Sequence, residues 1–138
     1  MRESKDSDDL KSYVADYTAQ LNGPNGEDAF FSLIELDDAA VPVLIEAFHS
    51  ERNTSVRTDL VEAIWQHRLP DTIRFLSETL DDPVPEVWQK ALDGLVALGG
   101  QEAITALEAA KPIVSHHRDG AVRTEWIDEA IEQIRERH

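Results

Sequence analysis

The strongest constraint on the fold of this chain is an apolar pattern of ten residues that occurs three times. In each copy, positions 1, 5, 6, 9 and 10 are apolar and positions 3, 4 and 7 are polar, which gives a helix of 3.6 residues per turn one buried stripe. The starts of successive copies lie 31 and 35 residues apart. The three copies are residues 56–65, 87–96 and 122–131.

A second helical segment precedes each copy, at residues 41–48, 72–80 and 103–110. Asp71 is expected to cap the middle one by accepting hydrogen bonds from free backbone N–H groups. Breaks rich in proline or glycine separate the segments, most clearly at 81–85 and at Gly99-Gly100. The pattern therefore predicts three helix pairs over residues 40–138.

The first 39 residues show the same organisation more weakly. A helix is expected over 7–21, capped by Ser7, and a second over 28–36 after a loop. The terminal repeats of an array are atypical because one side must face water. We therefore predict a single domain over residues 1–138, in which a divergent pair (1–39) caps three clearer repeats (40–138).

Helix pairs at this spacing resemble HEAT repeats, specifically the short bacterial HEAT-like kind found in phycobilisome lyases. Asp81-Asp82 matches the Asp that closes the turn between the two helices, and Val56-Arg57 and Val122-Arg123 match the Val-Arg pair that opens the second helix. The middle repeat departs from this pattern, with Trp88 in place of the Arg. The resemblance implies an all-α, right-handed α-solenoid of about four antiparallel helix pairs, whose second helices line the concave side.

The charge of the chain narrows the choice of partner. It has 28 acidic and 13 basic residues, a formal net charge of −15. Such a chain repels phosphate backbones and anionic lipid, so we expect neither a nucleic acid nor a membrane as partner. The amino terminus carries no apolar run typical of a signal peptide, which favours a cytoplasmic protein.

No motif in the sequence predicts a catalytic, cofactor or metal site. There is no cysteine, which excludes thiol chemistry, and no glycine-rich phosphate loop. His116-His117 lacks the i,i+4 spacing of helical metal ligands, so these residues are expected to form a solvated turn.

The outward positions of the second helices are the candidate binding surface. Position 7 is acidic in all three copies, and stacking would place Glu62, Asp93 and Asp128 in a row about 10 Å apart. Such a row would attract a cationic partner. The alternative is a solvated face that serves solubility.

The three tryptophans occupy different positions of the pattern. Trp65 and Trp126 fall on the apolar stripe and are expected in the core. Trp88 stands where the other copies have arginine, so it is either an interface anchor or packs under the turn at 83–85. The predicted partner-binding residues are Asp59, Glu62, Trp88, Asp93, Glu125, Asp128 and Glu132.

These observations favour a non-catalytic, monomeric protein-interaction module whose acidic concave face binds a basic protein. The charge suits an immunity protein or an inhibitor of a cationic toxin or nuclease. Two alternatives stay open: a chromophore-handling enzyme similar to bilin lyases, and a general regulatory scaffold without a single dedicated ligand.

Overall fold

A computed structural model describes the backbone of residues 2–137 and the side chains of residues 8–137. Within that range the chain forms eight α-helices and one short 3₁₀ turn, Asp38–Ala40, and no strand. The predicted all-α class is confirmed. The helices are α1 Arg2–Gln20, α2 Gly26–Glu35, α3 Val41–Ser50, α4 Thr54–Gln66, α5 Asp71–Thr79, α6 Pro85–Leu98, α7 Gly100–Val114 and α8 Gly120–Glu136.

The helices form two compact units, Met1–Leu69 and Pro70–His138, each built from two helix pairs. In unit 1, α1 packs on α2 and α3 on α4, while α1 also contacts α3 and α2 contacts α4. Unit 2 repeats this arrangement with α5 to α8. Each unit therefore has two layers, one of first helices and one of second helices, as expected for stacked pairs.

Each unit has its own buried apolar core. Burial of one leucine or isoleucine side chain contributes roughly 1.5–3 kcal/mol before conformational entropy is subtracted. Fully buried side chains of unit 1 include Leu33, Leu44, Leu60 and Ile64, and those of unit 2 include Leu76, Leu95, Leu107 and Ile134.

Glycine residues and capping side chains mark several of the helix ends. Gly99 and Gly100 have φ angles of +64° and +83°, a region that favours glycine, so the predicted break between α6 and α7 is confirmed. Asn53 caps α4, since its side chain accepts the N–H of Val56 at 3.0 Å. The cap expected at Asp71 is wrong, because Asp71 is already the first residue of α5. Helix α1 begins at Arg2, before the start expected at Ser7, and the side chain of Ser7 lies outside the described side chains.

A buried histidine closes the core of unit 1. The Nε2 of His67 lies 3.1 Å from the carbonyl oxygen of Leu33, and its Nδ1 lies 2.9 Å from Oδ1 of Asp38. Its side chain is 2% exposed. His67, at the end of α4, thus links that helix to the end of α2 and to the 3₁₀ turn.

The buried stripe of α8 is rotated relative to the predicted one. Val122 and Trp126, both expected inside, are 49% and 41% exposed, whereas Arg123 is 2% exposed. Helix α8 packs against α6 and α7, and the flank that carries Val122 stays exposed. The side chains buried along α8 include Arg123, Ile127, Ala130, Ile131 and Ile134.

Candidate functional site

The layer of second helices in unit 2 presents a shallow groove of about 170 Å³ between α6 and α8. Two carboxylates and one indole stand among its apolar and amide side chains. We call these lining residues the α6–α8 surface: Leu92, Asp93, Val96, Trp126, Glu129, Ala130 and Gln133.

Trp126 is the large aromatic side chain of this surface, and it rests on a buried base. Its ring meets the ring of Trp88 edge to face, with centroids 5.5 Å apart and planes at 76°. The guanidinium of Arg123 lies 5.1 Å from the centroid of the Trp88 ring. A half-exposed indole on a fixed support loses little conformational entropy on binding, which is one reason why tryptophan dominates binding hot spots.

The burial of the tryptophans decides between the alternatives for Trp88 and contradicts the expectation for Trp126. Trp88 is 2% exposed, so the interpretation of Trp88 as an interface anchor is wrong. Trp126 was expected in the core and is instead the exposed aromatic. The expectation for Trp65, which is 8% exposed, is confirmed.

The carboxylates of the α6–α8 surface come from one predicted residue and one that the sequence reasoning missed. Asp93 lines the groove from α6, as the predicted row requires, and Glu129 lines it from α8. Two more predicted residues, Glu125 and Glu132, are exposed on α8. The groove therefore faces solvent with acidic groups on both of its helices.

Asp128 lies on the other flank of α8. Its Oδ1 accepts a hydrogen bond of 2.8 Å from Nζ of Lys111 on α7. This bond holds the pKa of Lys111 above its ordinary value of 10.5. Two residues along a helix correspond to about 200° of rotation, so Asp128 and Trp126 point in opposite directions. The expectation that Asp128 joins Asp93 in one row is wrong.

The remaining two predicted residues belong to unit 1. Asp59 and Glu62 are half-buried on α4. The Nε2 of Gln66 donates a hydrogen bond of 2.9 Å to Glu62. Their role in partner binding stays a prediction.

Arg123 lies outside the apolar stripe of the pattern, and its side chain is nevertheless buried. Its Nε donates to Oδ1 of Asp119 and its Nη1 donates to the carbonyl oxygen of Leu80, both at 2.8 Å. Burial raises the pKa of Asp119, but the hydrogen bond and charge of Arg123 outweigh burial and hold that pKa below its ordinary value of 3.8. Arg123 therefore joins the turn after α5 to the start of α8.

Three side chains that could ligate a metal ion meet where the turn after α5 approaches the loop before α8. His117 Nε2 lies 2.6 Å from Oδ1 of Asp81, and the rings of His116 and His117 stack with centroids 4.7 Å apart. His116 is exposed, as a solvated turn predicts, but His117 is half-buried. The sequence reasoning missed this cluster because Asp81 is 36 residues away from His117.

A second, larger groove of about 500 Å³ lies between α5 and α7, in the layer of first helices. It is lined mainly by small and polar side chains with Ile73, and it includes Glu78 and Glu102. No aromatic side chain lines it. The α5–α7 groove thus offers acidic groups without an aromatic contact.

A family model described as HEAT repeats matches residues 41–124, which is more than half of the chain. The curated proteins and the solved structures contain no match. In the part of the chain that the structure describes, no helix combines the length and apolar character that a membrane span requires.

Proposed function

Because the chain belongs to the HEAT-repeat family, whose repeats generally mediate protein–protein contacts and typically act as non-catalytic scaffolds, we propose that it binds a protein through the α6–α8 surface. The observation that carries this proposal is the half-exposed ring of Trp126, held on the buried ring of Trp88. Asp93 and Glu129 flank it in the same groove.

The chemistry of this surface favours a basic partner. An arginine side chain can stack on the Trp126 ring while its guanidinium donates to a neighbouring carboxylate, so one side chain satisfies both features of the groove. The net charge of −15 also attracts a cationic protein over long distances and speeds its association. The partner we propose therefore presents arginine or lysine to the α6–α8 surface.

The specific form of the proposal is inhibition of a cationic enzyme that acts on nucleic acid, such as a nuclease toxin. The active site of such an enzyme is positively charged because its substrate is anionic. An acidic protein can occupy that site in place of the substrate. The acidity of the chain and of its aromatic-bearing groove supports this form.

Comparative capture from a lysate of the source cells tests the proposal. The wild-type chain, a double variant Asp93→Lys/Glu129→Lys and a Trp126→Ala variant are immobilised, and bound proteins are eluted with salt and identified by mass spectrometry. The matched control is Glu78→Lys/Glu102→Lys, which makes the same change in net charge on the α5–α7 groove.

We expect the wild type and the control to retain a basic protein that elutes between roughly 0.2 and 0.5 M salt. Both α6–α8 variants should lose it. Equal retention by all four proteins would contradict the proposal, and so would equal loss from the two double variants, which would indicate attraction by net charge alone.

A further inference from the structure

We propose that Asp81, His116 and His117 form a binding site for a first-row divalent transition ion, of which Zn²⁺ is the representative. Each residue offers one ligand atom, and these atoms lie within 4.8 Å of one another. Two residues come from the loop before α8 and one from the turn after α5, so a bound ion would cross-link these two segments of unit 2.

The donor set selects the kind of ion. Two imidazole nitrogens and one carboxylate oxygen suit zinc, copper, nickel or cobalt, whereas Mg²⁺ and Ca²⁺ prefer sites built from oxygen alone. Two ligand atoms about 2.1 Å from a tetrahedral ion are about 3.4 Å apart. Closing the cluster to that spacing needs a movement on the order of 1 Å, and His116 can make it because its side chain is exposed.

Two of the three ligands are already held in position. The hydrogen bond of 2.6 Å between His117 and Asp81 orients both side chains toward each other. The backbone of His117 is fixed in a tight turn, since its N–H donates to the carbonyl of Val114 and its carbonyl accepts the N–H of Gly120. An ion that replaces the shared proton would need these two ligand atoms to separate by less than about 1 Å, with both side chains already facing each other.

Buried Arg123 fixes the two segments that carry the ligands. It donates to the carbonyl oxygen of Leu80, directly before Asp81, and to the carboxylate of Asp119, two residues after His117. The distance between the two segments is therefore set by a buried side chain. This arrangement lowers the conformational cost of bringing ligands from two separate turns onto one ion.

Isothermal titration calorimetry with ZnCl₂ tests the site on the full chain without an affinity tag, after treatment with a chelator. The variants are His116→Ala, whose exposed side chain leaves the fold intact, and Asp81→Asn. The matched control is His49→Ala, which removes an exposed histidine from α3 in unit 1. MgCl₂ serves as the probe for general attraction to an acidic chain.

We expect one Zn²⁺ per chain with a Kd below about 100 µM. His116→Ala and Asp81→Asn should each weaken binding by at least about tenfold, while His49→Ala binds as the wild type does. Zn²⁺ should also raise the melting temperature of the wild type and not that of His116→Ala. Absence of binding at 1 mM Zn²⁺ (about tenfold above that Kd), equal affinity in all variants, or equal affinity for Mg²⁺ would overturn the proposal.

Discussion

The guanidinium of Arg123 connects three parts of unit 2. A buried charge is tolerated only where its donors are satisfied. Here a carboxylate, a backbone carbonyl and the face of Trp88 surround it. The same residue therefore supports the aromatic base of the α6–α8 surface and fixes the two turns of the candidate metal site.

Replacement of this residue should be costly to the fold. Arg123→Met keeps much of the side-chain volume but leaves the Leu80 carbonyl without its donor, so we expect the free energy of unfolding to fall by about 2–4 kcal/mol. Urea unfolding followed by circular dichroism measures it. Arg135→Met, an exposed change on the same helix, should cost less than about 0.5 kcal/mol. Equal costs for the two variants would show that Arg123 is not a structural link.

The burial of individual side chains could be predicted from the sequence only in part. An apolar pattern shows which side chains can be buried, but not which flank of a helix a neighbour covers. Trp126 lies on the stripe and is still half exposed, because the flank of α8 that carries Arg123 is the one that faces Trp88 of α6 and the carbonyl oxygen of Leu80. Trp88 took a polar position of the pattern and is buried, because Arg123 and Trp126 pack against its ring.

At the scale of elements, an ion pair joins α7 to α8. Nζ of Lys111 lies 2.8 Å from Asp128 and 3.4 Å from Glu108, so the lysine bridges a carboxylate of its own helix and one of the next. Both helices also pack through their apolar stripes. The ion pair between Lys111 and Asp128 thus adds an electrostatic contact on the side of α8 opposite the α6–α8 surface.

The pH dependence of stability should report this contact. The pKa of Lys111 is raised in the folded state, so its contribution is complete below the unfolded pKa of 10.5 and is lost as pH rises through the folded pKa. Asp128→Asn should therefore be less stable than the wild type at about pH 8, and the difference should shrink above about pH 11. Urea midpoints of both proteins at the two pH values measure this, and a constant difference would contradict it.

The helices themselves were largely predictable, because their signals are local. Pairs and breaks follow from the apolar stripe and from Gly99-Gly100, and helix ends differ from prediction by a few residues. The predicted segment 103–110 ends four residues before α7 does. Helix α7 continues through Pro112 to Val114, because so close to the helix end the missing N–H of proline removes only one hydrogen bond of the last turns. The contact of His117 with Asp81 could not be predicted from local signals, because it joins residues of two different helix pairs.

At the scale of the whole molecule, the net charge of −15 attracts a basic protein to the chain but does not favour one surface over another. Both grooves of unit 2 carry carboxylates, so acidity alone predicts equal binding to either. We propose instead that binding uses the groove in which carboxylates adjoin an exposed indole on a buried base. On this proposal net charge sets the association rate, and the α6–α8 surface sets the lifetime of the complex.

Binding through the α6–α8 surface can be measured as the dissociation constant of the captured basic protein for three forms of the chain, by calorimetry in the same buffer. The forms are the wild type, Asp93→Lys/Glu129→Lys and Glu78→Lys/Glu102→Lys. We expect the α6–α8 variant to bind at least about 100-fold more weakly, and the α5–α7 variant to stay within about threefold of the wild type. Equal weakening in both double variants, or stronger weakening in the α5–α7 variant, would contradict it.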